Sequence, residues 1–118
     1  MPETAAASPI LTTETKHYRN DVVLLICHGR LVAGSEGILY TTVHEFIPTK
    51  KRLILDLADL QHTDSLGLGT LTRLYVSAKS AGCSLELMHL SKQIRHLLGL
   101  TNLFNVFTII AESGVKFM

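Results

Sequence analysis

The chain has 118 residues, 47% hydrophobic and 18% charged, with a net charge of +1. These figures fit one folded domain and exclude a disordered protein. Lys and Arg are scattered, so no basic stripe marks a nucleic-acid footprint. The longest apolar runs, such as Val22–Cys27, fall far short of the ~20 residues of a membrane span.

Met1–Pro9 is rich in Ala with Pro, Thr and Ser, and reads as a flexible N-terminal tail. It carries neither a basic region nor an apolar stretch of signal-peptide type, so a cytoplasmic location is expected. One domain is expected over residues 10–118. Ile10–Tyr18 alternates weakly and is rich in Thr, which suggests an edge strand that could pair with a second copy of the chain. Val22–Cys27 is continuous and β-branched, as in a central strand buried on both faces. Gly29 then marks a turn.

Ser35 is placed to cap a helix in which Ile38, Leu39, Thr42, Val43, Phe46 and Ile47 form one apolar stripe. Pro48 ends it. Arg52–Leu57 reads as a short buried strand. A second helix, over about Leu66–Ala81, lines up Leu71, Leu74, Tyr75 and Ala78, and Gly82 stops it. Ser84–His89 alternates, with Leu85, Leu87 and His89 on one side and Glu86 and Met88 on the other, as in a half-buried strand. Ser91 caps a third helix with Ile94, Leu97 and Leu98 inward, and Gly99 ends it. Val106–Ile110 is a last strand. Ala111–Met118 is too short and too Gly-interrupted to specify a helix.

The order β-β-α-β-α-β-α-β implies an α/β domain with a small, mixed but mainly parallel sheet of four or five strands. The first strand would join through an antiparallel hairpin at Arg19-Asn20-Asp21.

The stretch with most chemistry is Asp64-Ser65-Leu66-Gly67-Leu68-Gly69, set between a strand and a helix. The first turn of a helix has unpaired N–H groups and a favourable dipole for anions. A phosphoryl group on Ser65 would therefore leave the fold intact while adding ~1.5 to 2 negative charges beside Asp64. The plainer alternative is that Ser65 only caps the helix. Asp64 could cap the helix, orient the Ser65 hydroxyl or ligate a partner-bound metal; capping is the simplest role. Gly67 and Gly69 allow close backbone approach, either within the domain or by another molecule. A nucleotide-binding module is a weaker reading, because no Lys follows the glycines.

Arg30, at the carboxyl end of the strand beside this loop, is a candidate contact for an acidic group. Asp56 and Asp59 resemble an acid–base pair only in spacing. His17, His28, His44, His62, His89 and His96 show no metal-ligand spacing, although His28 and His89 could meet in space. A Ser–His–Asp triad through Ser65 lacks the Gly-x-Ser-x-Gly elbow. Cys27 and Cys83 read as reduced structural thiols. No catalytic residue, metal site or cofactor is assigned.

Three passages together resemble the STAS domain family, in particular the stand-alone bacterial anti-sigma factor antagonists. Gly29-Arg30-Leu31 is similar to the family's Gly-x-Leu passage. Leu55–Leu60 followed by Thr63–Gly69 matches its strand and Asp-Ser-x-Gly-Leu-Gly signature. Gly99-Leu100-Thr101-Asn102-Leu103-Phe104 resembles its Gly-Leu-x-x-Leu-Phe passage. The likeness runs from about Leu11 to Ile110. Val32 stands where members often carry Asp, Leu66 is bulkier than the usual residue after the serine, and the expected final helix has little chain to form it.

The resemblance implies helices packed mostly on one face of the sheet. It implies that Ser65 is phosphorylated by an anti-sigma factor serine kinase, that the unphosphorylated form binds this kinase and releases a sigma factor, and that a serine phosphatase resets the switch. The partner surface would comprise Arg30, Leu31, Asp64, Leu66, Gly67 and Gly69. The protein itself would not be an enzyme. The family also includes constitutive scaffolds and transporter accessory domains, the alternative reading.

Overall fold

The computed structural model describes residues 10–103 and 107–110. The expectations for Met1–Pro9, Phe104, Val106 and Ala111–Met118 lie outside these residues. The elements are β1 (Leu11–Tyr18), β2 (Val22–Leu31), α1 (Glu36–Phe46), β3 (Arg52–Thr63), α2 (Ser65–Ser80), β4 (Ser84–Met88), α3 (Lys92–Leu100) and β5 (Thr108–Ile110). They form one five-stranded sheet in the order β1-β2-β3-β4-β5. β1 is antiparallel to β2, and the other pairs are parallel.

The β1–β2 hairpin turns through Asn20 and Asp21, both at positive φ (65° and 59°), a conformation these short polar side chains tolerate. Each later strand is reached through a helix, as parallel pairing requires. The main core contains Val23, Leu25 and Cys27 of β2, Leu53, Leu55 and Leu57 of β3, and Leu85 and Leu87 of β4. Leu39 and Val43 of α1, Leu71, Leu74 and Ala78 of α2, and Ile94 and Leu98 of α3 cover them. Each such aliphatic side chain contributes roughly 1.5–3 kcal/mol on burial. A second, smaller cluster of Val22, Leu24, Ile54 and Met88 contains no helical residue. The three helices therefore share one face of the sheet.

Gly29 does not end its strand. It lies inside β2 at φ +106°, and the carbonyl of Ile10 sits where a Cβ would project. The Arg30 N–H donates to that same carbonyl at 2.9 Å. The glycine is needed for close approach of β1, and a strand position of this kind has the same sequence appearance as a turn.

β3 also runs further than expected, to Thr63. Ile26 pairs with Asp56 but His28 pairs with Asp59, so β3 spends one extra residue there, and a second shift follows between Gly29 and Arg30. The Asp56 carboxylate accepts the Ala58 N–H at 3.0 Å, satisfying an amide at the irregular step. β4 is more deeply set than a half-buried strand, with Leu85 to Met88 all buried. Glu86 tolerates this because Arg52 grips it through two hydrogen bonds of 3.0 and 2.7 Å and the Ser84 hydroxyl donates at 2.7 Å. Gly99 lies within α3; the helix closes at Thr101, and Asn102 takes the left-handed conformation at φ 59°. Gly82 follows α2 at φ +79°, as a helix-stopping glycine should.

Among the described residues, no helix is long and apolar enough to cross a membrane.

Candidate functional site

The carboxyl ends of β2 and β3 carry the site. Leu31 and Thr63 are register partners at this end. The Leu31 carbonyl accepts from the Thr63 hydroxyl at 2.6 Å and from the Asp64 N–H at 3.3 Å. From α3, the Gln93 side chain closes on the backbone of Thr63: Oε1 accepts its N–H at 3.2 Å and Nε2 lies 3.3 Å from its carbonyl. The same Nε2 lies 2.6 Å from Nδ1 of His62. Sequence reasoning quoted Thr63 within the signature without giving it a role and missed Gln93, because their partners lie about thirty residues away in the chain.

Asp64 is the N-cap of α2. Its extended backbone (φ −112°, ψ −174°) lets Oδ1 accept the Gly67 N–H at 2.9 Å. Oδ2 accepts the Ala33 N–H at 3.0 Å, tying the β2–α1 loop to the helix start. These two bonds, that from Ala33 first, hold the Asp64 carboxyl below its ordinary value, because both favour the charged form.

Ser65 is therefore not the cap. It is the first residue of α2, it is exposed, and its hydroxyl makes no hydrogen bond among the described residues. Leu66 beside it is 46% exposed. Gly69 and Arg73 follow on the same outer side of the helix, and both are exposed. Arg73 reaches back over the Tyr40 ring of α1, 5.0 Å from its centroid. Neither Arg73 nor Tyr40 was marked by any sequence motif.

The two glycines of the motif differ. A Cβ on Gly67 would strike the Leu31 carbonyl and the Thr63 hydroxyl, so this glycine lets the helix start sit against the end of β2. A Cβ on Gly69 would meet nothing within 4 Å. An exposed glycine inside a helix costs about 0.5–1 kcal/mol relative to alanine, and nothing among the described residues requires this one.

Two residues expected at a partner surface belong to the interior instead. The Leu31 side chain is 0% exposed, and only its carbonyl serves the site. Gly67 is buried beneath the first turn. Arg30 is exposed at the end of β2, whereas Asp64 is half-buried and committed to its two amides. Ser35, expected to cap α1, stands at the N-cap position without a capping bond. At ψ −12° its side chain does not overhang the helix amides. It accepts the Val32 N–H at 3.0 Å and donates to the Arg30 carbonyl at 2.8 Å, fixing the loop from within.

Asp56 and Asp59 do not act on a shared point. Asp56 Oδ1 pairs with His89 Nδ1 at 2.8 Å, and Asp59 pairs with His28 at 2.5 Å. His28 and His89 thus serve different carboxylates. Cys27 is buried, and burial followed by the Asp56 charge pushes its thiol up to about 12, so it stays a thiol.

Comparison with known proteins agrees with this fold. The chain is similar to an anti-sigma factor antagonist from Mycobacterium paratuberculosis at 18% identity and a TM-score of 0.74, over 84% of both chains. It is similar to the Bacillus anti-sigma factor antagonist SpoIIAA, in its unphosphorylated form, at 14% identity and a TM-score of 0.71, over 86% of this chain and 90% of that one. A sulfate transporter family protein from Wolinella succinogenes is similar at 18% identity and a TM-score of 0.70, over 83% and 84%. At these identities the likeness concerns the fold. The model of the STAS domain matches residues 13–114, nearly the whole chain, and the protein belongs to the STAS domain family.

Proposed function

We propose that this protein is a phosphorylation-switched binding module of the anti-sigma factor antagonist type. In its unphosphorylated form it docks on an anti-sigma factor serine kinase in the cytoplasm and frees a sigma factor. Phosphorylation of Ser65 ends the complex, and a serine phosphatase restores it. The protein itself performs no catalysis.

The observation that carries this reading is the division of labour at the start of α2. Asp64 supplies the cap, so the Ser65 hydroxyl is left exposed and uncommitted among the described residues. A cap would have had to give up its hydrogen bond on modification; Ser65 gives up nothing. The added dianion would lie at the positive end of a sixteen-residue helix. A docking surface shaped for a neutral hydroxyl and the apolar Leu66 would then meet a desolvated charge, at a cost of several kcal/mol. Solved relatives described as anti-sigma factor antagonists, one of them in both unphosphorylated and phosphorylated forms, support the same direction.

The test is direct. The protein is incubated with the serine-kinase anti-sigma factor of its host and ATP, and intact mass is measured for wild type and Ser65→Ala. One phosphate on wild type and none on the variant is the expected result. A stable complex that never becomes phosphorylated would favour the second reading, a constitutive STAS domain working beside a transporter. The likeness to the sulfate transporter family protein supports that alternative. Nucleotide binding or hydrolysis without a partner would overturn both.

A further inference from the structure

The sheet carries a row of three titratable side chains that takes no part in the Ser65 site. Glu14 of β1, His28 of β2 and Asp59 of β3 meet across three adjacent strands. His28 is the register partner of Asp59, and Glu14 stands opposite Ile26, two residues along β2 from His28. Nε2 of His28 lies 2.5 Å from Oε2 of Glu14, and Nδ1 lies 2.5 Å from Oδ2 of Asp59. A neutral imidazole has one N–H and one lone pair, so it can serve only one of two carboxylates placed on its two nitrogens. Carboxylates against both nitrogens specify the imidazolium, which donates to each.

Other charged and titratable groups along these strands are engaged elsewhere: His17 packs edge-on against Phe46, Arg52 grips Glu86, and Cys27 is buried in the core. Asp56 of β3 is paired with His89. Lys16 of β1 stands opposite Leu24, and Arg30 of β2 stands opposite His62, which is held by Gln93. The hydrogen bonds that His28 donates to Asp59 and then to Glu14 hold its pKa above the ordinary value of 6.5.

The row sits where the backbone ladder is least regular. The β2–β3 register shifts between Ile26 and His28 and again between Gly29 and Arg30. β1 is an edge strand whose described partner in the sheet is β2. Its outer half pairs with Ile26–Gly29, and the Ile10 carbonyl takes the Arg30 N–H. The β1–β2 register itself is unbroken from Leu11 to Tyr18, so the side-chain bridge adds to a regular ladder on the β1 side and spans the shifted ladder on the β3 side.

We propose that His28 is a proton-controlled clamp: as imidazolium it ties Glu14 of the edge strand to Asp59 of β3 across β2, and its deprotonation releases the outer half of β1 together with the Ile10–Arg30 hydrogen bond. The sign follows from linkage. His28 returns to its ordinary value when the clamp is open. The hold is therefore complete below about pH 6.5 and is lost as pH rises through the raised value of the closed state. The clamp goes beyond the partner-switching reading and needs no partner to be observed.

The experiment is a pH series by NMR on the full chain, reading the His28 ring nitrogens and the exchange protection of the Arg30 amide after correction for intrinsic exchange. In wild type, both ring nitrogens are protonated at about pH 6, and protection at Arg30 falls about tenfold over the next two to three pH units. In His28→Gln, protection at Arg30 is pH-independent and already at the wild-type high-pH level. Glu14→Gln retains a raised His28 titration through Asp59 but loses most of the pH response at Arg30. A single neutral tautomer of His28 at about pH 6 would overturn the clamp. So would the same Arg30 profile in wild type, His28→Gln and Glu14→Gln.

Discussion

The inner and outer sides of the first turn of α2 are built from adjacent residues yet obey different rules. On the inner side Gly67, Leu68, Thr70 and Leu71 are buried, and the backbone at Gly67 presses on the Leu31 carbonyl and Thr63. On the outer side Ser65, Leu66, Gly69 and Arg73 face solvent, with open space above Gly69. One short motif therefore mixes residues that hold the loop in shape with residues that the loop displays. Glycine occurs on both sides for opposite reasons. The difference teaches that membership in the signature does not assign a role; the surroundings of each Cβ do.

The largest expected effect breaks the inner side. Gly67→Ala places a methyl group against main chain that cannot rotate away, and should cost about 3 kcal/mol or more of stability. Chemical denaturation measures it; a variant as stable as wild type would show that the helix start is free to shift outward. The outer side should behave in the reverse manner. Ser65→Asp should weaken kinase binding by over a hundredfold, ~3 kcal/mol, while the thermal midpoint stays within a few degrees. Equal affinity by calorimetry for wild type and Ser65→Asp would remove the switch.

Gly69→Ala sharpens the contrast with Gly67. It should stabilise the free protein by about 0.5–1 kcal/mol through helix propensity and at the same time weaken docking. Tighter or unchanged binding would show that no partner backbone approaches that turn. The smallest effect concerns acid. Asp64 contributes its capping stability in full above its ordinary value of 3.8, and loses it only as pH falls through its lowered value. A carboxyl NMR titration of Asp64 with its midpoint below 3.8 is expected; a midpoint above that value would show that the bonds to Ala33 and Gly67 do not favour the charged form.

Much of the fold was legible because burial imposes simple periods. Leu39 and Val43, and Leu71, Leu74 and Ala78, repeat at helical spacing and do face the core. The element order and the parallel topology followed from that. Strand ends were not legible where the period failed. β3 carries an extra residue opposite β2 between Asp56 and Asp59, so the alternation through Leu57–Leu60 breaks although the strand continues. Gly29 reads as a turn because a local signal cannot tell a loop from a strand crossed by another backbone. The station of Ser65 at the head of a helix follows from the strand–helix junction alone. Its independence from the cap required the geometry of Asp64, and the burial of Leu31 required knowing which face of β2 it joins. Pairings such as His28 with Glu14 and Asp59, or Gln93 with Thr63, join residues distant in sequence and leave no local trace.

The Leu31 carbonyl has a wider consequence. It is the pin on which the Ser65 loop hangs, and it is main chain. Exchanging side chains at Arg30 or Val32 leaves that oxygen where it is. The flanking side chains can thus change while Ser65 keeps its station, so that the displayed surface and the position of the hydroxyl can vary independently.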